Sequence, residues 1–266
     1  MNFKKSIIAA AAFIAMGAAS FAQAAPTFTV NAASVNPLAG AVMGTFEAQS
    51  ILAGSSELLH RSVIDGQLTD TGSGYIRYSS FVNTDPVTGL SDTIAIAGFK
   101  LYVKFDLVDL VGQGANGSNL LTTLNFTMYA DRDNNTTFTA AGANSDGTGR
   151  EAVVGGITTD DYILASGSLI QGSATITPEG GAALNANTTF NLTPEGKLFF
   201  VQPTPFFTLS FNGFNNPTGA AVTNSDGTLS INAGGTTEFN NVPEPTSIAL
   251  LGLGLLAVGV TARRKS

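Results

Sequence analysis

Apolar and mostly polar residues alternate strictly along several segments of this chain. The alternation is clearest over residues 99–107, where every second side chain is apolar. Side chains two residues apart lie on the same face of a β-strand, so the pattern predicts a strand with one buried and one solvated face. The same period recurs over residues 124–128 and 207–211. We therefore expect an all-β protein.

Further short segments rich in β-branched and aromatic residues are also predicted to be strands. They are residues 28–30, 75–82, 93–97, 174–177, 190–192, 197–201 and 228–231. Turns rich in Gly, Asn, Asp and Thr separate them, and residues 57–61 have room for one helical turn at most. Many short strands at modest spacing predict one antiparallel β-sandwich of the jelly-roll kind over residues 25–241.

The composition limits the chemistry open to the chain. It has no cysteine, which excludes disulfides, thiol nucleophiles and zinc-thiolate sites. With a single histidine, His60, and no G-x-S-x-G motif, no Ser-His-Asp triad is evident, so we expect a protein that is not an enzyme. A secreted polysaccharide-modifying hydrolase is the alternative. Its paired carboxylates would come from Glu47, Glu57, Glu151, Asp160 and Asp161.

The charge is strongly acidic once the two ends are set aside. The whole chain has a net charge of −7, but residues 25–241 hold 7 basic and 18 acidic residues, a net charge of −11. Such a surface makes nucleic acid an unsuitable partner. It attracts divalent cations and repels acidic polysaccharide unless a cation intervenes.

The first 24 residues have the layout of a secretory signal peptide. Two lysines precede an apolar stretch over residues 7–16, and the small residues Ala22 and Ala24 follow it. This order is typical of a segment that signal peptidase removes. An uncleaved membrane anchor is the alternative, but the apolar stretch is short for that role. We expect the mature protein to begin at Ala25.

The last 25 residues, 242–266, combine a proline-rich motif, an apolar segment and a basic end. The motif consists of Val242, Pro243, Glu244 and Pro245, and the basic end of Arg263, Arg264 and Lys265. The prolines separate the apolar segment from the body, and the basic end is expected to stay on the cytoplasmic side of the membrane. Because residues 247–262 are fewer than the ~20 that usually span a bilayer, hydropathy alone also allows a buried core helix.

This arrangement resembles the PEP-CTERM sorting signal of Gram-negative bacteria. The resemblance implies that an exosortase, a membrane cysteine transpeptidase, recognises the tail at Pro243, Glu244 and Pro245 and removes it. It implies export across the inner membrane, transient anchoring there through the C-terminal transmembrane helix, and delivery to the cell surface or extracellular matrix. Exosortase systems usually accompany exopolysaccharide production.

Three segments of the body resemble the flocculation-associated PEP-CTERM protein family PepA. They are residues 127–138, 160–176 and 188–211. This resemblance implies a small exported β-rich protein that promotes floc or biofilm formation by retaining exopolysaccharide at the cell surface. The family is not defined by a catalytic motif, so it implies no active-site residues. A self-associating structural matrix protein without sugar affinity is a further alternative.

One loop has the spacing of a cation site. Asp131, Asp133 and Asn135 alternate, and D-x-D-x-N spacing turns oxygen ligands toward one hard cation such as calcium. An EF-hand loop would need Gly at Thr136 and Glu at Gly142, so that pattern is incomplete. The alternative is a turn whose side chains bond their own backbone. A calcium site here would recruit further ligands from Asp146, Asp160 or Asp161. No other cofactor is expected.

Two tyrosines are candidate sugar-binding residues. The chain has no tryptophan, and most of its phenylalanines fall on the apolar phase of a predicted strand. Tyr102 and Tyr129 fall on the polar phase, where a ring could stack on a pyranose. A tyrosine at a sheet edge or facing another protein is the alternative interpretation.

Overall fold

The computed structural model describes residues 26–85 and 87–240. Its strands are β1 (Phe28–Asn31), β2 (Thr45–Ala48), β3 (Ser50–Ile64), β4 (Gln67–Thr84), β5 (Ser91–Ala95), β6 (Lys100–Leu110), β7 (Asn119–Asp131), β8 (Thr136–Thr139), β9 (Gly142–Ala143), β10 (Gly149–Arg150), β11 (Val153–Gly156), β12 (Tyr162–Ile176), β13 (Ala182–Thr189), β14 (Asn191–Leu192), β15 (Phe200–Gln202), β16 (Leu209–Asn216), β17 (Ala221–Thr223) and β18 (Leu229–Asn240). The α-helices of these residues are α1 (Pro37–Met43) and α2 (Pro194–Phe199).

The two predicted terminal segments, the signal peptide and the C-terminal helix, lie outside the described residues. Within the part of the chain that the structure describes, no helix combines the length and apolar character needed to cross a membrane.

One antiparallel sheet dominates the fold and closes into a barrel-like wall. Eight strands follow in the order β13, β16, β18, β3, β4, β6, β7 and β12, and β12 pairs with β13 to join the two edges. The all-β prediction is confirmed, but the expected sandwich is corrected to one closed sheet. The reason is that strands of a sandwich and of a closed sheet show the same alternation, so the period does not reveal closure.

The alternation correctly predicts which side chains of β6 and β7 face the interior. Val103, Phe105 and Leu107 are buried in β6, as are Leu124 and Met128 in β7. Lys104 and Asp106 of β6 face outward between them. Burial of these apolar side chains against those of the opposite strands forms the core of the closed sheet.

Strand β16 has the opposite orientation to the one predicted. Phe211 is 36% exposed, whereas Ser210 and Asn212 face the interior and are buried. The pairing of β16 with β13 and β18 determines this register, and the hydroxyl groups of Thr188 and Ser210 form a buried hydrogen bond of 2.7 Å. A satisfied polar contact therefore holds Ser210 inside, which a one-strand apolar pattern does not reveal.

Aromatic side chains close one end of the sheet. We call this cluster the phenylalanine plug; it consists of Phe28, Phe81, Phe199, Phe200, Phe206 and Phe239. Phe28 lies on a small separate sheet of the order β15, β1, β2, and its ring packs edge-on against Phe239 of β18 at a centroid distance of 5.0 Å. The plug thus joins the small sheet to the closed one.

A long excursion between β7 and β12 covers part of the outer face. It contains two short hairpins, β8 with β11 and β9 with β10. Ala141 donates its backbone N–H to Ser56 Oγ on β3 at 2.8 Å, and Asn232 on β18 donates to the Ala141 carbonyl at 3.2 Å. The Phe138 ring packs against Tyr75 of β4 at 5.1 Å. Side chains that would face solvent on a bare sheet are therefore buried here.

Candidate functional site

Three chain segments meet at the end of the sheet that carries the phenylalanine plug. Strand β7 ends at Asp131, β8 begins at Thr136, and β12 follows Asp160 and Asp161. Because Tyr162 of β12 pairs with Ala130 of β7, the turn before β12 lies beside the loop after β7. We call this meeting point the acidic junction; its residues are Asp131, Asn135, Asp160 and Asp161.

Asp131 uses its carboxylate to close its own loop. Its side chain is fully buried, and its two oxygens accept the backbone N–H groups of Asn135 at 3.2 Å and of Thr136 at 2.8 Å. The ammonium group of Lys100 lies 3.8 Å from Asp131 Oδ2 and donates to the carbonyls of Asn134 and Thr136, at 2.8 and 2.5 Å. The first aspartate of the predicted calcium loop is thus engaged by backbone N–H groups and lies close to an ammonium group.

Asp133 points away from this arrangement. Its side chain is 53% exposed, and its Oδ1 lies 3.7 Å from Nε of Arg132, an exposed ion pair of the kind that contributes little to stability. The next residue, Asn134, has a φ of 58°, which turns the backbone sharply. The structure therefore does not bring Asp131 and Asp133 to one ligand point.

Three oxygen atoms at the acidic junction have no partner. Oδ1 of Asn135, of Asp160 and of Asp161 each expose less than 1 Å² and accept no hydrogen bond. The side chains are otherwise connected, since Asn135 Nδ2 donates to Asp160 Oδ2 at 3.1 Å and Thr136 Oγ1 donates to Asp161 Oδ2 at 3.2 Å. Buried oxygens normally have partners, and a hard cation such as calcium is one that these oxygens suit.

Negative charge is in excess at this point. Asp131, Asp160 and Asp161 bring three carboxyl groups together here, and the ammonium group of Lys100 lies 3.8 Å from Asp131. Burial raises the pKa of the Asp161 carboxyl, and the neighbouring charges of Asp131 and Asp160 raise it further, against the lowering effect of hydrogen bonds from Tyr102 and Thr136. A bound cation would relieve this repulsion.

The donor set of the acidic junction is two carboxylates and one amide. Among the described residues, no group of three or more His, Cys, Asp or Glu side chains is placed to hold a metal ion. The three aspartates of the acidic junction therefore do not form a purely carboxylate site, and any cation would complete its coordination with other oxygens.

Tyr102 contacts the acidic junction through its hydroxyl group. It is fully buried, its ring stacks on Tyr129 at 5.0 Å and 12°, and Phe138 packs edge-on at 5.5 Å. Its hydroxyl donates to Asp161 Oδ2 at 2.5 Å, and burial followed by this contact raises the pKa of Tyr102. The prediction that Tyr102 stacks on a sugar is corrected, because the excursion after β7 covers it. Tyr129 is half-buried.

The catalytic candidates of the alternative hydrolase are dispersed. His60 lies on the outer surface with its Nε2 2.9 Å from Glu151 Oε1, and both side chains are about half exposed. Glu57 lies inside the closed sheet, and Asp160 and Asp161 lie at the acidic junction. The sequence named Asp160 and Asp161 as hydrolase candidates and as additional calcium ligands, but it did not place them beside Asn135, because that depends on the pairing of β7 with β12.

A comparison with protein-family models adds the evidence on sorting. Residues 241–265 match the model of the PEP-CTERM protein-sorting motif. The chain carries a PEP-CTERM signal. The motif indicates a protein that is exported and processed by an exosortase, as the resemblance implied. The matched residues lie outside the described part of the chain, and no curated protein and no solved structure matches the sequence.

The PEP-CTERM signal follows the last strand directly. Strand β18 ends at Asn240, and the match begins at residue 241. The start of β16, Leu209, pairs with Asn240, and Phe239 belongs to the phenylalanine plug. The described part of the chain therefore ends at Asn240, at the plugged end of the closed sheet, which also carries the acidic junction.

Proposed function

We propose that this PEP-CTERM protein is a non-enzymatic adhesive protein that retains exopolysaccharide at the cell surface or in the matrix, and so promotes floc or biofilm formation. The observation that supports it most directly is the group of three unpartnered oxygens at the acidic junction. Calcium held there gives an acidic protein, with a net charge of −11 over residues 25–241, a means of contacting acidic polysaccharide.

The proposed mechanism is cation bridging. Calcium takes six to eight oxygen ligands, and Asn135, Asp160 and Asp161 supply three side-chain oxygens. The remaining positions are then filled by water or by carboxylate and hydroxyl oxygens of the polysaccharide. One such contact is weak, but many protein molecules along one polymer chain give high avidity through effective concentration.

The direct test is binding of the exported protein, purified from cells, to the exopolysaccharide of the same cells. We expect binding in calcium and its loss on adding a chelator. Binding that is indifferent to the chelator contradicts cation bridging and points to Tyr129. If the protein does not bind the polysaccharide and its apparent mass in light scattering rises with its concentration, it is a self-associating structural protein. Release of reducing ends from the polysaccharide indicates a hydrolase.

The acidic junction and the sequence-predicted loop make different predictions for calcium binding. Asp160→Asn and Asp161→Asn retain the side-chain shape but remove one charge each, so calcium affinity should fall about tenfold or more in isothermal titration calorimetry. Asp133→Asn is the matched control and should change the affinity less than twofold, since Asp133 faces solvent. A larger effect at position 133 than at 160 or 161 would place the ligand in the loop instead.

Removing the sorting signal tests the biological role. Deletion of residues 243–266 removes the prolines, the apolar segment and the basic end, so exosortase has no substrate. The protein should be lost from the cell surface in fractionation, and the cells should fail to form flocs. Normal flocs from cells whose surface lacks the protein would contradict the proposed role.

A further inference from the structure

The closed sheet encloses a cavity below the phenylalanine plug. Its walls are mainly apolar and include Val103, Phe105, Leu124, Met128 and Ile231. The centre of a water molecule can reach about 50 Å³ of this space. At about 10–15 Å³ for each water-sized group, the cavity has room for roughly three to five such groups in a row.

Two acidic side chains face this apolar space. Glu57 of β3 and Asp109 of β6 line the cavity, and they are 7% and 1% exposed. Asp109 accepts a side-chain hydrogen bond from Asn119, but its Oδ1 exposes less than 1 Å² and has no partner. Unpartnered carboxylate oxygens inside an apolar cavity are costly, because burial removes their hydration without a replacement.

Four other polar side chains of the cavity are hydrogen-bonded in one chain. Tyr78 Oη and Thr237 Oγ1 are 3.0 Å apart, Thr237 donates to Asn212 Oδ1 at 2.8 Å, and Asn212 Nδ2 donates to Ser210 Oγ at 3.4 Å. Ser210 in turn bonds Thr188. The buried oxygen without a partner in this cavity is Asp109 Oδ1, and Glu57 lines the same space.

Arg61, the cationic side chain whose charge acts on Asp109, is already paired. Asp70, the cross-strand neighbour of Asp109, receives two hydrogen bonds from the Arg61 guanidinium, at 2.8 and 2.7 Å. Burial raises the pKa of Glu57 to about 8, with the Asp109 charge adding to it, and raises the pKa of Asp109 to about 6. The Arg61 guanidinium thus serves Asp70, whereas Asp109 receives its side-chain hydrogen bond from the neutral amide of Asn119.

We propose that this cavity binds a small primary ammonium compound with an apolar body of about four carbons. Its ammonium group donates hydrogen bonds to Asp109 Oδ1 and to Glu57, and its carbon chain contacts the apolar walls. A primary ammonium has three donors and one positive charge, which the two acids require. A metal ion would need oxygen ligands on several sides, where this cavity presents carbon.

The test uses n-butylammonium as the probe and the exported protein purified from cells. In an NMR titration, n-butylammonium should shift the methyl signals of Val103, Leu124 and Ile231. It should bind at least about tenfold more tightly than 1-butanol, which has the same shape without the charge. Equal affinity for the two probes, or shifts confined to the outer surface, would overturn the proposal.

Two substitutions test whether Asp109 and Glu57 bind the ammonium group. Asp109→Asn should weaken n-butylammonium binding about tenfold or more and leave 1-butanol binding within twofold, and Glu57→Gln should weaken it in the same direction. The matched control is Asp92→Asn, an exposed residue of β5. An equal effect of Asp92→Asn would mean that the overall surface charge, and not the two cavity acids, attracts n-butylammonium. Since this cavity and the acidic junction share no residue, the outcome is independent of calcium binding.

Discussion

The wild-type protein is expected to lose stability between about pH 4.5 and pH 8, and Glu57→Gln is expected to abolish most of this loss. Burial inside the closed sheet, followed by the nearby Asp109 charge, raises the pKa of Glu57 from 4.5 to about 8. In this pH range the unfolded chain has released the Glu57 proton while the folded protein retains it. The unfolded state then binds fewer protons, so the free energy of unfolding falls as pH rises.

The magnitude follows from the size of the pKa difference. A shift from 4.5 to about 8 corresponds to about 5 kcal/mol of lost stability, none of it below pH 4.5 and all of it above pH 8. Asp109 acts in the same direction at lower pH, since its pKa is raised from 3.8 to about 6. The remaining charged groups at this end of the cavity, Asp70 and Arg61, neutralise one another through two hydrogen bonds.

Urea unfolding at pH 4.5 and pH 9 measures the effect. The wild type should lose at least about 5 kcal/mol over this range, because Asp109 adds to the effect of Glu57, and Glu57→Gln should lose much less while matching the wild type at pH 4.5. Glu179→Gln, at an exposed position, is the control and should follow the wild type at both pH values. Parallel pH profiles for Glu57→Gln and the wild type would show that Glu57 is ionised in the folded protein.

Phe28→Ala is expected to destabilise the protein by about 4 kcal/mol. Phe28 is 1% exposed, and its ring contacts those of Phe81, Phe200, Phe206 and Phe239 at centroid distances between 5.0 and 6.4 Å. Truncation removes both the buried apolar area and these aromatic contacts, and it leaves a cavity where β1 packs on the closed sheet.

The matched control for this substitution is Phe211→Ala. Phe211 is 36% exposed, so the same change of side chain should cost about 1 kcal/mol or less. Chemical denaturation of both variants at one pH gives the comparison. Similar losses at the two positions would mean that the phenylalanine plug does not hold the small sheet to the closed one.

The strand predictions were correct where alternation within one segment determines which face is buried. They failed where pairing with neighbouring strands determines it. The inward faces of β6 and β7 follow from their alternation. Residues 57–61, expected to form one helical turn at most, lie within β3, because β4 pairs with all of them and β18 pairs with residues 57–59. Strand context of this kind overrides intrinsic propensity.

The candidate cation site shows the same division between local and long-range information. The D-x-D-x-N spacing predicted Asp131, Asp133 and Asn135 as the ligands of one cation. The structure commits Asp131 to backbone N–H groups and Lys100, and it turns Asp133 outward. The unpartnered oxygens belong to Asn135 and to two aspartates about 25 residues away in the chain.

By itself the sequence determined the all-β class, the acidic charge and the PEP-CTERM signal, because each depends on residues close together in the chain or on composition. Only the tertiary structure decided that the sheet closes, that Tyr102 is buried, that Asn135 meets Asp160 and Asp161, and that Glu57 shares a cavity with Asp109. These features depend on which strands pair and in which register, and a one-residue change of register would reverse every inward and outward face.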